Sequence, residues 1–339
     1  MATPNENRVT ISAAEIGAMS AEVPAAMNVR AALRNAMARM RDASVPSHAL
    51  AAELLLMHIL GCDRAWLYAH SETPLDLEPV QKYFELVKRR SAGAPTQYLT
   101  GKQEFWGLEF QVTPAVLIPR PETEHIIEVA LERLGELRAQ RRPSNSADSG
   151  SGGADSQPVA DISGSARSCR IADVGTGSGC IAVALAHELP HSVIVATDIS
   201  SPALDVARRN AERHGLAQRI SFIECNLLDG LLNESRPFDL IVSNPPYVSR
   251  DDETQLPREV REQEPHEALF CGPTGTEIYA PLIAQSAELL RRGGLLVLEI
   301  GYGALDRVRP LLDESPAWSE IRVTNDLAGI PRVISAERA

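Results

Sequence analysis

Apolar residues in this chain change their spacing twice. Over residues 29–90 they recur every three or four positions. Leu33, Met37 and Met40 share one stripe, residues 50–60 (LAAELLLMHIL) are dense with apolar side chains, and 80–87 resume the pattern after a turn at Pro74. This spacing predicts a small helical bundle over 29–92 whose Leu and Met stripes face its own core, with Asp63 and Arg64 in a turn between helices. Over 93–120 the spacing drops toward two. Phe105, Trp106, Leu108, Phe110 and Val112 partly alternate around Gly107, which predicts a β-hairpin linker. Pro121 then opens a helix running to about Leu137, with Glu122 and Glu124 in the first turn, where the helix dipole favours acids. Ligand sites favour domain junctions, so the hairpin, Phe105 in particular, is expected to lie against the cleft.

Beyond residue 168 short apolar runs and helical stripes alternate. Strands are expected at 169–174, 193–197, 220–223, 238–243 and 295–300, with closing strands at 321–324 and 333–336. Helices are expected at 181–188, 202–214, 278–291 (ended by Gly293-Gly294) and 305–312. The pattern is that of an α/β domain over 121–339 built on a doubly wound, seven-stranded sheet with its ligand across the carboxyl ends of the parallel strands. Two stretches lack any apolar pattern. Residues 1–28 read as a flexible tail, and 141–168, rich in Ser, Gly, Ala and Asp, as a disordered insertion that carries no core.

Composition narrows the function. The chain has 339 residues, a formal charge of −12 and a pI near 5.2, which argues against a protein held to nucleic acid by charge alone. No apolar run approaches the ~20 residues of a membrane span. Cys62, Cys169, Cys180, Cys225 and Cys271 are scattered without a C-x-x-C pair, a pattern that suits reduced thiols in a cytoplasm and offers no zinc site. Glu6, Glu15 and Glu22 interrupt the first 28 residues, so no signal peptide is expected there.

The candidate chemistry sits at strand ends. The turn Gly175-Thr176-Gly177-Ser178-Gly179 follows the first strand of the α/β part, and Asp198 closes the second, 19 residues after Gly179. A glycine turn lets backbone approach a ligand, and an acid ending the next strand is placed to accept bonds from a ribose diol. NAD and S-adenosylmethionine both fit such a site. The spacing departs from G-x-G-x-x-G, which points away from a dinucleotide, and no P-loop motif is present. The fourth strand runs into Asn244-Pro245-Pro246-Tyr247. Proline lacks an N–H, so this stretch is rich in acceptors, and Tyr247 adds a flat ring. Asn244 and the Pro245 carbonyl could accept both N–H bonds of a planar NH2 group while Tyr247 holds its plane.

Together D-V-G-T-G-S-G at 173–179, Asp198 and N-P-P-Y at 244–247 resemble the class I S-adenosylmethionine-dependent methyltransferases that modify planar nitrogens. The stretches 101–110 (GKQEFWGLEF), 116–124 (VLIPRPETE) and 264–272 (EPHEALFCG) make the chain more closely similar to the release factor glutamine methyltransferases, the PrmC/HemK group. The resemblance runs from about residue 30 to the C-terminus, outside the insertion. It implies a class I methyltransferase sheet behind a helical substrate-binding domain, and methylation of N5 of the glutamine in the Gly-Gly-Gln motif of class 1 peptide release factors. It also implies S-adenosylmethionine held by Gly175, Thr176, Gly177, Ser178, Gly179, Asp198, Asn226, Leu227 and Asn244. Substrate would meet Asn244, Pro245, Pro246, Tyr247 and Phe105, without a metal. A monomeric, cytoplasmic enzyme is expected. One departure stands out: the family usually carries Asp-Trp for the adenine where this chain has Asn226-Leu227, so the ring loses an aromatic partner.

Two rival substrates share the NH2 chemistry, a ribosomal protein glutamine and an exocyclic amine of a nucleic acid. The stretch 250–267 carries seven acids (Asp251, Asp252, Glu253, Glu259, Glu262, Glu264, Glu267) against three arginines. Such a face repels phosphates and tolerates a basic protein partner.

Overall fold

The computed structural model describes residues 27–140 and 168–339. The expected tail (1–28, save its last two residues) and the expected insertion (141–168, save its last residue) lie outside them. The chain divides into two compact units, one up to Thr100 and one from Gly101 to Ala339.

In the first unit a two-residue strand β1 (Met27–Asn28) pairs antiparallel with β2 (Pro74–Leu75) beside five helices: α1 (Val29–Asp42), α2 (His48–Leu60), α3 (Arg64–Ala69), α4 (Leu77–Ser91) and α5 (Thr96–Thr100). The Asn28 side chain caps α1 by accepting the Ala31 N–H at 2.8 Å, and Asp63 caps α3 through the Trp66 N–H at 2.7 Å. Asp63 therefore has a definite local task, satisfying one of the unpaired donors at a helix start. The buried stripe runs through Ala32, Ala36 and Met40, which share a core with Leu55, Leu56, Val80 and Val87, while Leu33 and Met37, expected on that stripe, are partly buried at its margin. The Tyr83 hydroxyl, buried among them, donates to the Ala52 carbonyl at 3.0 Å.

The second unit opens with the hairpin β3 (Lys102–Phe105) and β4 (Leu108–Gln111), turning at Trp106 and Gly107, both at positive φ. Helix α6 (Glu124–Gln140) follows a short 3-10 turn at Pro121–Thr123. The sheet comprises β5 (Arg170–Val174), β6 (Val193–Asp198), β7 (Ile220–Glu224), β8 (Phe238–Ser243), β9 (Leu290–Glu299), β10 (Trp318–Asn325) and β11 (Pro331–Arg338), in the order β10-β11-β9-β8-β5-β6-β7. The five strands from β9 to β7 run parallel. β11 runs against them and pairs antiparallel with β9 on one side and with β10, at the sheet edge, on the other. One helix end differs from the sequence reading. Arg291 to Gly294 belong to β9, not to the preceding helix, which stops at Leu289. The Arg291 guanidinium donates to Asp239 at 2.5 Å, which favours the extended course here.

Helix α7 (Cys180–Glu188) packs on one face of the sheet with α6, and α8 (Ser201–Arg213) flanks the edge at β6 and β7. Short helices α9 (Arg258–Gln263) and α10 (His266–Leu269) precede α11 (Tyr279–Leu289) and α12 (Leu305–Asp313), whose apolar faces cover the opposite side. Among the side chains that fasten the hairpin to this body, one is fully buried. Asn210 of α8, fully buried, accepts the Gln111 N–H at 2.7 Å and donates to the Gln111 carbonyl at 3.0 Å and to the Ser178 carbonyl at 2.8 Å. Removing it leaves three backbone groups without this partner. Asn210→Ala is expected to cost about 2–4 kcal/mol. Urea unfolding of the variant checks this, and a loss under 0.5 kcal/mol would show that these groups find other partners.

Candidate active site

Parallel strands deliver their carboxyl ends to one edge, and the residues singled out in the sequence gather there: the glycine turn after β5, Asp198 at the end of β6, Asn226-Leu227 after β7 and Asn244 to Tyr247 after β8. Hydroxyls tie these ends together. Ser243 donates to the Val174 carbonyl at 2.7 Å, and Thr197 donates to the Leu227 carbonyl at 2.8 Å.

The turn has room on its outer side. A Cβ added at Gly175 or Gly177 would meet nothing within 4 Å, whereas one at Gly179 would press on the Ala207 Cβ at 3.0 Å. Gly179 is thus required by the close approach of α7 and α8, and the other two leave space for a ligand. The Thr176 and Ser178 side chains are buried beneath the turn, so only its backbone is presented. Asp198 accepts the Gly177 N–H and the Ser200 N–H, each at 2.9 Å. Burial raises its carboxyl above the usual range, and those backbone donors work against the rise. Each oxygen keeps a lone pair for a ribose hydroxyl. Under the turn, Asp173 is wholly buried. Its Oδ2 accepts the Thr176 hydroxyl at 2.6 Å and the Ala182 N–H at 3.1 Å, while Oδ1 has no partner among the described residues. A buried acceptor without a donor suits a ligand bearing N–H groups or positive charge. Open space, a ribose acceptor and an orphan carboxylate oxygen together fit S-adenosylmethionine. Leu227 sits at φ +48°, and the exposed Asn226 donates to Asp229 at 3.3 Å.

At the other end of the site a cavity of about 230 Å³ is lined by Arg120, Asn244, Pro245 and Tyr247, with apolar walls from Leu256, Val260 and Leu269. Pro246 is half-buried and does not line it. The Asn244 Nδ2 donates to the Thr123 hydroxyl oxygen at 2.9 Å. That hydroxyl donates in turn to Glu299 Oε2 at 2.7 Å, and the Tyr247 hydroxyl donates to Glu299 Oε1 at 3.2 Å. Glu299 is 1% exposed at the end of β9, and burial pushes its carboxyl up to about 7. Arg120 is held by Glu264, whose side chain is nearly inaccessible, at 2.5 Å; Glu264 also accepts the Ile118 N–H at 3.2 Å.

Glu264 and Glu299 were not singled out as site residues by the sequence. Glu299 had a readable signal: it is an acid at the end of the apolar run 295–300, as Asp173 is in 169–174. Glu264 looked like one more solvated acid. Phe105 is the opposite case and is corrected here. It is 1% exposed, edge-on to Phe110 at 6.1 Å between ring centroids, in the core with Ile126 and Ile127. A ring enclosed by apolar neighbours has no face for a substrate. The adjacent Trp106 reaches outward, donating through Nε1 to Glu188 at 2.9 Å.

Comparison with known proteins follows the same division. Residues 31–101 match the PrmC N-terminal domain family and 159–263 the methyltransferase small domain family. A release factor glutamine methyltransferase of Koribacter versatilis is 40% identical over 309 residues, covering 91% of this chain and 98% of that one. One of Bradyrhizobium diazoefficiens is 39% identical over 311 residues, covering 92% and 95%. Among solved structures, the hMettl16 catalytic domain in complex with an RNA hairpin superposes with a TM-score of 0.50 at 16% identity, over 75% of this chain and 82% of that one; this likeness concerns the fold alone. Among the described residues no helix is long and apolar enough to cross a membrane.

Burial lifts Asp173 to about 7 from an ordinary value near 3.8. A raised acid binds more protons folded than unfolded, so its contribution to stability is complete below about pH 4 and is lost as pH rises through about 7. Asp173→Asn, which has no proton to lose, should therefore gain about 1–3 kcal/mol on the wild type between pH 5 and pH 8 without ligand. Urea unfolding at both pH values tests this. A difference that stays constant would mean that Asp173 is ionised throughout.

Proposed function

The chain belongs to the release factor glutamine methyltransferase family, and on that footing we propose that it transfers a methyl group from S-adenosylmethionine to N5 of the glutamine in the Gly-Gly-Gln motif of class 1 peptide release factors. The observation that carries the reading is the Asn244 amide. Its NH2 is committed to Thr123, which leaves its oxygen as an acceptor beside Pro245 on the wall of the cavity.

An amide nitrogen is a weak nucleophile because its lone pair is shared with the carbonyl. S-adenosylmethionine supplies the compensating chemistry, a methyl group on a positively charged sulfur that leaves readily. The residues of the chain have the remaining task, which is geometry. Asn244 Oδ1 and the Pro245 carbonyl accept the two N–H groups of the glutamine amide and fix its nitrogen facing the cleft. These bonds strengthen as positive charge grows on that nitrogen, so they favour the transition state over the ground state. Tyr247, its hydroxyl tied to Glu299, holds the amide plane. Asp198 takes the ribose, the backbone of 175–179 admits the methionyl part, and Asp173 Oδ1 supplies an acceptor for its ammonium group. Asn226 and Leu227 border the adenine, with a leucine where the family usually has an aromatic ring.

The helical unit over 29–92 receives the body of the release factor, and the acids of 250–267 suit a basic protein better than a phosphate backbone. The enzyme works as a monomer in the cytoplasm, without specific binding to nucleic acid.

The test offers purified protein and labelled S-adenosylmethionine a release factor, the same factor with its motif glutamine changed to alanine, a ribosomal protein extract and duplex DNA. Label on the first alone is expected. Label on DNA, or equal label on the altered factor, overturns the substrate assignment. In the same assay Asn244→Ala is expected to lower kcat at least ~100-fold, about 2.7 kcal/mol, by analogy with losing a transition-state hydrogen bond. A rate near wild type would remove Asn244 from the mechanism.

A further inference from the structure

We propose that Glu299 is a positioning residue for this reaction: by taking the single proton of the Thr123 hydroxyl, it dictates which way round the Asn244 amide sits, and so keeps an acceptor at the substrate nitrogen. The inference rests on the role of Asn244 given above.

The argument is one of proton counting. A threonine hydroxyl has one hydrogen to donate and lone pairs to accept. An ionised carboxylate can only accept, so the Thr123 hydrogen points to Glu299 Oε2, at 2.7 Å. The Thr123 oxygen is then left to accept, and the group that meets it, at 2.9 Å, has to be the NH2 of Asn244. Because the amide is planar, fixing the NH2 fixes Oδ1 on the other side. The second carboxylate oxygen holds the Tyr247 hydroxyl at 3.2 Å, so one buried group secures both ends of the Asn-Pro-Pro-Tyr stretch.

A proton on Glu299 reverses the chain. The carboxylic acid donates to the Thr123 oxygen, the Thr123 hydrogen is released to point at Asn244, and the amide turns its oxygen toward it. The Asn244 NH2 then faces the NH2 of the substrate, donor against donor. One proton is taken up at Glu299, and no other group changes charge.

The groups around Glu299 make this switch accessible near neutral pH. Glu122, from the turn ahead of α6, opposes its ionisation, and Arg332 of β11 favours it. Thr123 and Tyr247 favour it through their hydroxyls. Arg120 acts on the Tyr247 side, and Tyr279 of α11 donates to the Glu299 carbonyl at 3.0 Å without touching the carboxylate. Burial outweighs these favourable contacts and brings the group to about 7.

Two measurements test the proposal. In the first, kcat for a release factor is followed from pH 6 to pH 8.5 at saturating S-adenosylmethionine. The wild type should lose at least fivefold from pH 8 to pH 6 with a midpoint near 7, while KM for S-adenosylmethionine moves less than twofold. Glu299→Gln should be slower and flat over this range. Thr123→Val should fall at least tenfold at pH 8 and also be flat, and Thr123→Ser should restore both the rate and the acid limb. An acid limb that survives unchanged in Glu299→Gln or Thr123→Val overturns the proposal. The second measurement needs no substrate. The side-chain 15N amide signal of Asn244, identified by its loss in Asn244→Asp, should titrate near pH 7 in the wild type and stay fixed in Glu299→Gln. A wild-type signal that does not move overturns the relay. A signal that titrates in a protein that leaves release factor unlabelled keeps the relay and overturns the assigned substrate.

Discussion

Burying a carboxylate at the inner end of a parallel strand is costly, and two such groups govern this site. Asp173 stands one residue before the end of its strand beneath the glycine turn, and Glu299 ends its strand beneath the proline stretch. Neither pairs with a close cation among the described residues. Each is met by hydroxyl and backbone donors instead, Thr176 and the Ala182 N–H for one, Thr123 and Tyr247 for the other. Neutral donors do not repay the full desolvation of a charge, and both groups are consequently raised to about 7. The arrangement resembles a deliberate imbalance: the fold gives up some stability to keep strong acceptors at the points where ligand donors or a correctly turned amide are needed.

The sheet was legible because its strands are short apolar runs separated by helical stripes, and such a pattern has few other three-dimensional solutions. The glycine turn, Asp198 and the Asn-Pro-Pro-Tyr stretch could be read for the same reason that they function: each places an unusual residue type directly after a strand. The extension of β9 through Gly293-Gly294 was not legible, since two glycines ordinarily punctuate a helix end and the Arg291 bond to Asp239 is visible only in space. Phe105 failed for a related reason. Partial alternation shows that a strand has two faces, but in a short hairpin it does not say which face is covered, and here the covering group is α6.

The residues that support the site from behind were hidden by sequence distance. Thr123 and Glu299 lie 176 positions apart, and Arg120 and Glu264 lie 144 apart. Single-sequence reading weighs a residue by its neighbours in the chain, and these four find their partners only after the sheet has formed. Glu264 illustrates the limit well. Within an acidic run it is indistinguishable from the exposed Glu262 and Glu267 by type, and only folding turns it inward to accept Arg120 and the Ile118 N–H.

The site also draws on both sides of the stretch between 141 and 167. Thr123 and Arg120 come before it, whereas Asn244, Glu264 and Glu299 come after it. The same is true of the hairpin and Asn210, and of α6 and the strands on which it packs. Continuity of the backbone through 141–167 is therefore not what unites the two parts; they are united by a shared core and by side chains that cross between them. Supplied as two chains, the parts would have to associate, and their shared core would have to offset the translational and rotational freedom lost. The gene could accordingly be split at that point into two reading frames whose products reassemble one active centre, with the amide holder encoded in one piece and the residue that orients it relayed through the other.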